Sequence, residues 1–162
     1  MNAPRGKRQG GMTLLEALLA AVVLAMAASA VVMPYTAGAR CAAQDARQTI
    51  AVNLAQDMME EILSKSFRDP DGEAGESGRG TWDDIDDYDG YAEQAGSICS
   101  FDGAPVSDPA AVGLSRHVSA EGVYVSGQET SEPPTFVRVC VEVRYKDEGV
   151  IALNRLVYAN DP

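Results

Sequence analysis

Four sets of residues in this 162-residue chain are of types that do chemistry: a carboxylate inside an apolar run, a cluster of aspartates, three cysteines and a single histidine. Glu16 is the only charged residue between Met12 and Pro34. A carboxylate in hydrocarbon costs about 2.5–3.5 kcal/mol on insertion scales, so its presence implies a cation or donor to meet it. Asp83, Asp84, Asp86, Asp87 and Asp89 supply hard oxygens of the kind that Ca²⁺ collects. The EF-hand order does not fit them, because with its required glycine on Gly90 the first ligand position falls on Ile85. Cys41, Cys99 and Cys140 form no CxxC pair, and with one His the common zinc spacings are excluded. His117 would have to serve any Ser/His/Asp or Cys/His site, but a lone His in an expected strand supplies no such geometry. No GxSxG, Walker-type or GxGxxG spacing occurs either, so the chain is expected not to be an enzyme.

The elements that carry these residues follow from where charge and hydrophobicity fall. There are 13 Lys+Arg against 24 Asp+Glu, a net charge of −11, which argues against direct nucleic-acid contact. Residues 1–11 hold Arg5, Lys7 and Arg8 and no acid; Met12–Met33 is then almost wholly apolar and rich in Ala and Leu. As a helix those 22 residues span about 33 Å, enough to cross a hydrocarbon core of about 30 Å. Basic residues before the run and none inside it place the N-terminus on the cytoplasmic side. One reading is a secretory signal peptide, cut near Ala27 or Ala30 to release a soluble acidic domain. That reading gives Glu16 no role.

The segment Gly10-Gly11-Met12-Thr13-Leu14-Leu15-Glu16 resembles the class III signal of type IV pilins and type II secretion pseudopilins. The resemblance implies a leader of residues 1–11 and cleavage between Gly11 and Met12 by a prepilin peptidase. It also implies N-methylation of Met12 by that peptidase/methyltransferase. Glu16 becomes the fifth mature residue, which in this family pairs with the N-terminal ammonium of an adjoining subunit. Met12 stands where the family most often has Phe. Losing the leader leaves ten basic side chains against 24 acidic ones, a balance of −14. The partners implied are the peptidase, other pilin or pseudopilin subunits and the inner membrane. The head would be periplasmic, and the assembled filament periplasmic or on the cell surface. A competence-type pseudopilin is the remaining variant, and −14 weighs against direct DNA contact. The helix-to-sheet layout looks closest to minor pilins or minor pseudopilins of the I/V type.

The remainder reads as an α+β head, residues 39–162, following a membrane and filament helix over residues 12–38. Ile50, Leu54, Met58 and Ile62 recur every four residues, with Ala51, Ala55, Met59 and Leu63 beside them, so an amphipathic helix is expected up to Phe67–Pro70. Pro34 and Gly38 are expected to kink or loosen the chain between the two helical stretches. Residues 69–90 hold nine acids and five Gly and read as a surface loop anchored by Trp82, Ile85 and Tyr88. Strands are expected weakly at Ser97–Phe101, and more clearly at Arg116–Val125, Thr135–Lys146 and Val150–Tyr158. The Val137/Val139/Val141/Val143 face should cover the helix stripe. The expectation is a pilin-like ladle: one long N-terminal helix, half membrane-spanning and half amphipathic, packed on a C-terminal antiparallel sheet of three to five strands. Some members of the resembled family hold Ca²⁺ in a head loop, which makes the aspartates of residues 83–89 a candidate calcium site. A head beyond the inner membrane also permits disulfides, and Cys99 with Cys140 is the expected pair.

Overall fold

The computed structural model describes residues 13–70, 76–129, 131 and 133–158. It is α+β: one long helix, α1 (Leu14–Leu63), precedes strands β1 (Ala92–Glu93), β2 (Leu114–Val123), β3 (Phe136–Tyr145) and β4 (Glu148–Tyr158). The chain divides into two units, Met1–Ala42 and Ala43–Pro162.

In the first unit the described residues are helical from Leu14 onward, and every one of them is exposed. Ala and Leu favour helix, and the Thr13 hydroxyl accepts a hydrogen bond from the Glu16 amide at 3.3 Å, tying off one otherwise free donor of the first turn. Ser29 and Thr36 turn their hydroxyls back onto the carbonyls of Ala25 and Met33. Those bonds leave the hydroxyls no need of water. The helix is long and apolar enough to cross a membrane, with a mean hydropathy of 2.3 in its most apolar stretch. Pro34 and Gly38, where a kink or loosening is expected, both lie inside α1, which runs as one helix through them. Proline removes a single N–H from the ladder, and the Ala-rich flanks sustain the helix on both sides.

In the second unit α1 buries Ala51, Leu54, Ala55, Met58, Met59 and Ile62. The four strands run in the order β1-β2-β3-β4, each antiparallel to the next. Val137, Val139, Val141 and Val143 are buried together with Leu114, Val118 and the α1 residues in one core, so the expected valine face is the covered one. The β3–β4 turn places Lys146 and Asp147 at φ 51° and 69°, the left-handed pair that a tight hairpin requires. At the other end of β3, the Pro134 ring lies 2.9 Å from where a Cβ on Gly122 would stand, so a side chain there would force the strand and the Pro134 segment apart.

Three boundaries differ from the sequence expectation. Helix α1 stops at Leu63, short of Phe67, because the backbone at Ser66 is taken by the acidic segment. Ser66 N donates to Asp83 O, and Ile85 N donates to Ser66 O. Ser97–Phe101 is not a strand: Cys99 makes a single bridge to Pro105 within a tight turn. The sheet is completed instead by the two residues of β1, paired with Arg116 and His117. Ile85 and Tyr88 are core residues at 2% and 0% exposure, and Trp82 packs on them, so the acidic segment is anchored as expected.

Candidate functional site

Gly11 and Met12 lie outside the described residues. Glu16 sits in the first turn of α1, exposed, where the free N–H groups of a helix end favour a carboxylate. It borders an apolar strip formed by Leu19, Ala20, Val23, Leu24 and Ala27. The next charge along the helix is Arg40. The strip and its single carboxylate suit a surface that meets apolar neighbours and one cation.

The head is held by a buried ionic network that the sequence reading missed. Arg116 on β2 is 1% exposed, and Glu61 on α1 and Glu93 on β1 are 6% and 5% exposed. Arg116 donates to Glu93 Oε2 at 2.6 Å, to Leu54 O at 2.9 Å and to Cys99 O at 2.9 Å. Arg79 donates to Glu61 Oε1 at 2.7 Å, to Glu93 Oε1 at 3.2 Å and to Cys99 O at 3.1 Å, and it also pairs with Glu61 Oε2. Tyr88 Oη donates to Glu61 Oε1 at 2.9 Å, and the Cys99 amide to Glu93 Oε1 at 3.0 Å. Two carboxylates therefore balance two guanidiniums, each with several hydrogen bonds, which is the condition for ions to stay charged inside a head. Burial alone would raise the Glu61 carboxyl, but hydrogen bonds from Arg79 and Tyr88 outweigh it and hold the group below its ordinary value. Burial and the bond to Glu61 push the Tyr88 phenol above its usual range. The sequence signal was phase: Glu61 adjoins Ile62 on the buried side of α1, and Arg116 alternates with Leu114 and Val118 on the inner face of β2.

The aspartates come together only in part. One carboxylate oxygen each from Asp83, Asp84 and Asp87 lies within 4.8 Å of the others, and Asp69, Glu76 and Asp83 form a second such group. Asp86 and Asp89 belong to neither. Asp87 Oδ2 accepts from the amides of Asp83 and Asp84 at 3.1 and 3.3 Å, and Asp84 Oδ1 accepts from the Asp87 amide at 3.1 Å. Asp89 Oδ1 accepts from the Ala120 amide at 2.9 Å. These oxygens thus hold their own loop and fasten it to β2. Burial pushes Asp84 up to about 6, and the hydrogen-bonded Asp87 beside Glu76 pushes Glu76 up to about 8.

The expected Cys99–Cys140 bridge is not present: both are free thiols, as is Cys41. Cys140 follows the outward alternation of β3, opposite Ser119 and Asn154, while the Cys99 carbonyl accepts from the inward-facing Arg79 and Arg116. The sheet stands between their two settings. His117 lies on β2 opposite Ala92 and Glu142.

A single carboxylate near the start of an exposed apolar helix is the arrangement that an N-terminal processing signal would present. Residues 6–32 match the family model of the prokaryotic N-terminal methylation motif, the prepilin-type signal of type IV pilins and pseudopilins. No curated protein and no solved structure matches the chain. The signal points to a structural subunit of pilin or pseudopilin type, anchored in a membrane by its N-terminal helix.

Proposed function

We propose that the chain is a minor pilin or minor pseudopilin, cut between Gly11 and Met12 by a prepilin peptidase, N-methylated on Met12 and assembled with other pilin-type subunits into a type IV pilus or a type II secretion pseudopilus. The observation that carries this reading is the prepilin-type signal lying directly on a helical stretch, Leu14–Ala42, whose apolar residues are exposed among the described residues. In a filament or a bilayer those side chains leave water, a gain of about 25 cal/mol per Å² buried. Glu16 then meets the N-terminal ammonium of Met12 from the adjoining subunit, and this pairing sets the axial register of each incoming copy. The head stands on the periplasmic side of the inner membrane before assembly, following the basic leader that precedes the apolar run.

N-terminal sequencing and intact mass of the chain recovered from membranes of a host with prepilin peptidase test the reading. A methylated Met12 terminus supports it. A start at Ala28 or Val31, or an uncut leader, overturns it in favour of a secreted domain or a plain anchor.

A further inference from the structure

The two edges of the head sheet differ. On the β2 side, β1 pairs with Arg116 and His117, Val118 N donates to Tyr91 O at 2.8 Å, and Ala120 N donates to Asp89 Oδ1 at 2.9 Å. That edge is covered. On the other side, β4 pairs with β3 alone among the described residues. Its register shift falls between Val143 and Arg144, near the turn, and residues 151–158 then pair without interruption. A strand of this length leaves a row of N–H and C=O groups facing outward, a template for a further strand. The usual guards are few: β4 contains no proline, and between Gly149 and Tyr158 its only charge is Arg155.

A hollow runs beside this edge. It holds about 280 Å³ and is lined by Met59, Glu60 and Leu63 from α1 and by Leu153 and Arg155 from β4. A cavity of about 150 Å³ takes a benzene ring, so this one has room for one or two apolar side chains. Leu63, at 41% exposure, is only partly covered there. Leu153 and Arg155 stand opposite Val141 and Val139 of the buried β3 face, so both belong to the inner side of the sheet. Side chains alternate along a strand, so every second residue of an added strand would extend this inner face over the hollow. Arg155 is exposed and forms no ion pair or cation–π contact among the described residues, with Glu60 or with any other group.

We propose that the β4 edge receives an extended strand of a different subunit of the same filament, one with a carboxylate opposite Arg155 and an apolar residue two places away, over the hollow. Its source in a filament subunit rests on the proposed function; its chemistry rests on the edge itself. Main-chain pairing supplies the affinity, and the alternate side chains supply the selection. A strand that leaves the Arg155 guanidinium against an apolar or basic residue is disfavoured. A second copy joined through β4 is such a strand, because between its own Gly149 and Tyr158 the only charge is again Arg155.

The probe is a synthetic heptapeptide in which valine, glutamate and valine alternate with threonines, added to the detergent-solubilised full chain and read by amide hydrogen exchange. It should slow exchange about threefold or more in residues 148–158 and leave β2 unchanged. The same peptide with lysine for glutamate should bind about tenfold more weakly. Net charge alone would favour the lysine peptide on this acidic chain, so a preference for glutamate reads Arg155 itself. Arg155→Glu should reverse the order of the two peptides, a gain that misfolding cannot imitate. A glutamate peptide N-methylated along its backbone should not bind, which separates strand pairing from charge attraction. No slowing in β4, equal slowing by the methylated peptide, or an unreversed order in Arg155→Glu overturns the inference. Sedimentation of the parent alone reads the other occupant: a dimer whose β4 amides are protected overturns the choice of a different subunit. An uncut leader on a chain that binds the peptide removes the filament source and leaves the edge site standing. A methylated Met12 terminus on a chain that does not bind it overturns this inference alone.

Discussion

Two stretches of one helix meet opposite surroundings. From Leu14 to Ala42 the apolar side chains are exposed among the described residues: Leu18, Leu24, Val31 and Met33 are 58%, 74%, 70% and 73% exposed. From Ala51 to Ile62 the same kinds of residue are covered by β2 and β3, with Leu54, Met58 and Ile62 at 5%, 0% and 0%. The kinds of apolar residue do not separate the stretches; the polar ones do. Polar residues recur at regular intervals in the second and are nearly missing from the first. The second therefore finds its cover within the head, whereas the first has no such cover among the described residues.

The most drastic way to break this contrast is to keep the first stretch from its destination. Gly11→Glu should leave a precursor that retains residues 1–11 and an unmethylated terminus, seen as a single heavier species by intact mass. Normal cleavage would show that the glycine does not direct processing, and the class III reading would fail with it.

Within the head the largest effect is expected at Arg116. Arg116→Met takes from the buried Glu93 its fully buried guanidinium partner, and frees the carbonyls of Leu54 and Cys99 from their bonds to β2. Breaking a buried ion pair from one side costs about 3–5 kcal/mol. Chemical denaturation of the detergent-solubilised chain measures it, and a loss below about 1 kcal/mol would mean that the network is not holding α1 to the sheet. A truncation pair tests the contrast along the helix itself. Met58→Ala should cost the head about 2–4 kcal/mol, while Leu24→Ala should leave its unfolding within about 0.5 kcal/mol of the parent. Equal losses at the two sites would mean that both stretches belong to one core.

How far the sequence could be read follows the same division. The apolar stretch and its Glu16 were legible because charge is binary there: one acid, then none before Arg40. The valine face of β3 and the stripe of α1 were legible because strict periods of two and four survive burial. Arg116 and Glu61 were not, because a charged residue at an inward position reads as an error of register until its partners are known. Those partners lie 18 and 23 positions away, Arg79 in a loop for Glu61 and Glu93 on the two-residue β1 for Arg116. The early end of α1 was hidden for a similar reason. Nothing in Ser64–Phe67 forbids helix, and the Ser66 bridge to Asp84 is a contact with a segment that composition marks as loop. β1, two residues long, carries no periodic signal at all.

The smallest expected effect sets the acidic segment against the ionic network through pH. Burial, then the neighbouring Asp86 and Asp87 charges, hold Asp84 up to about 6 from 3.8, against the Asp87 amide that acts to lower it. The folded head therefore binds that proton more tightly than the unfolded chain does. The resulting stability is fully present below about pH 3.8 and is lost as pH rises through about 6. Glu61 has the opposite sign: its folded value lies below 4.5, so its contribution is full above that value and is lost as pH falls through the folded one. Between about pH 4 and 6 the Asp84 contribution declines while that of Glu61 stays in place. Asp84→Asn keeps an acceptor for the Asp87 amide and removes the titration. It should flatten that decline by about 1–3 kcal/mol, at 1.36 kcal/mol per unit, and leave the acid-side loss unchanged. Parallel stability profiles for the variant and the parent would place Asp84 in water rather than in the core. The acidic segment would then be a solvated appendage of the head and not a wall of it.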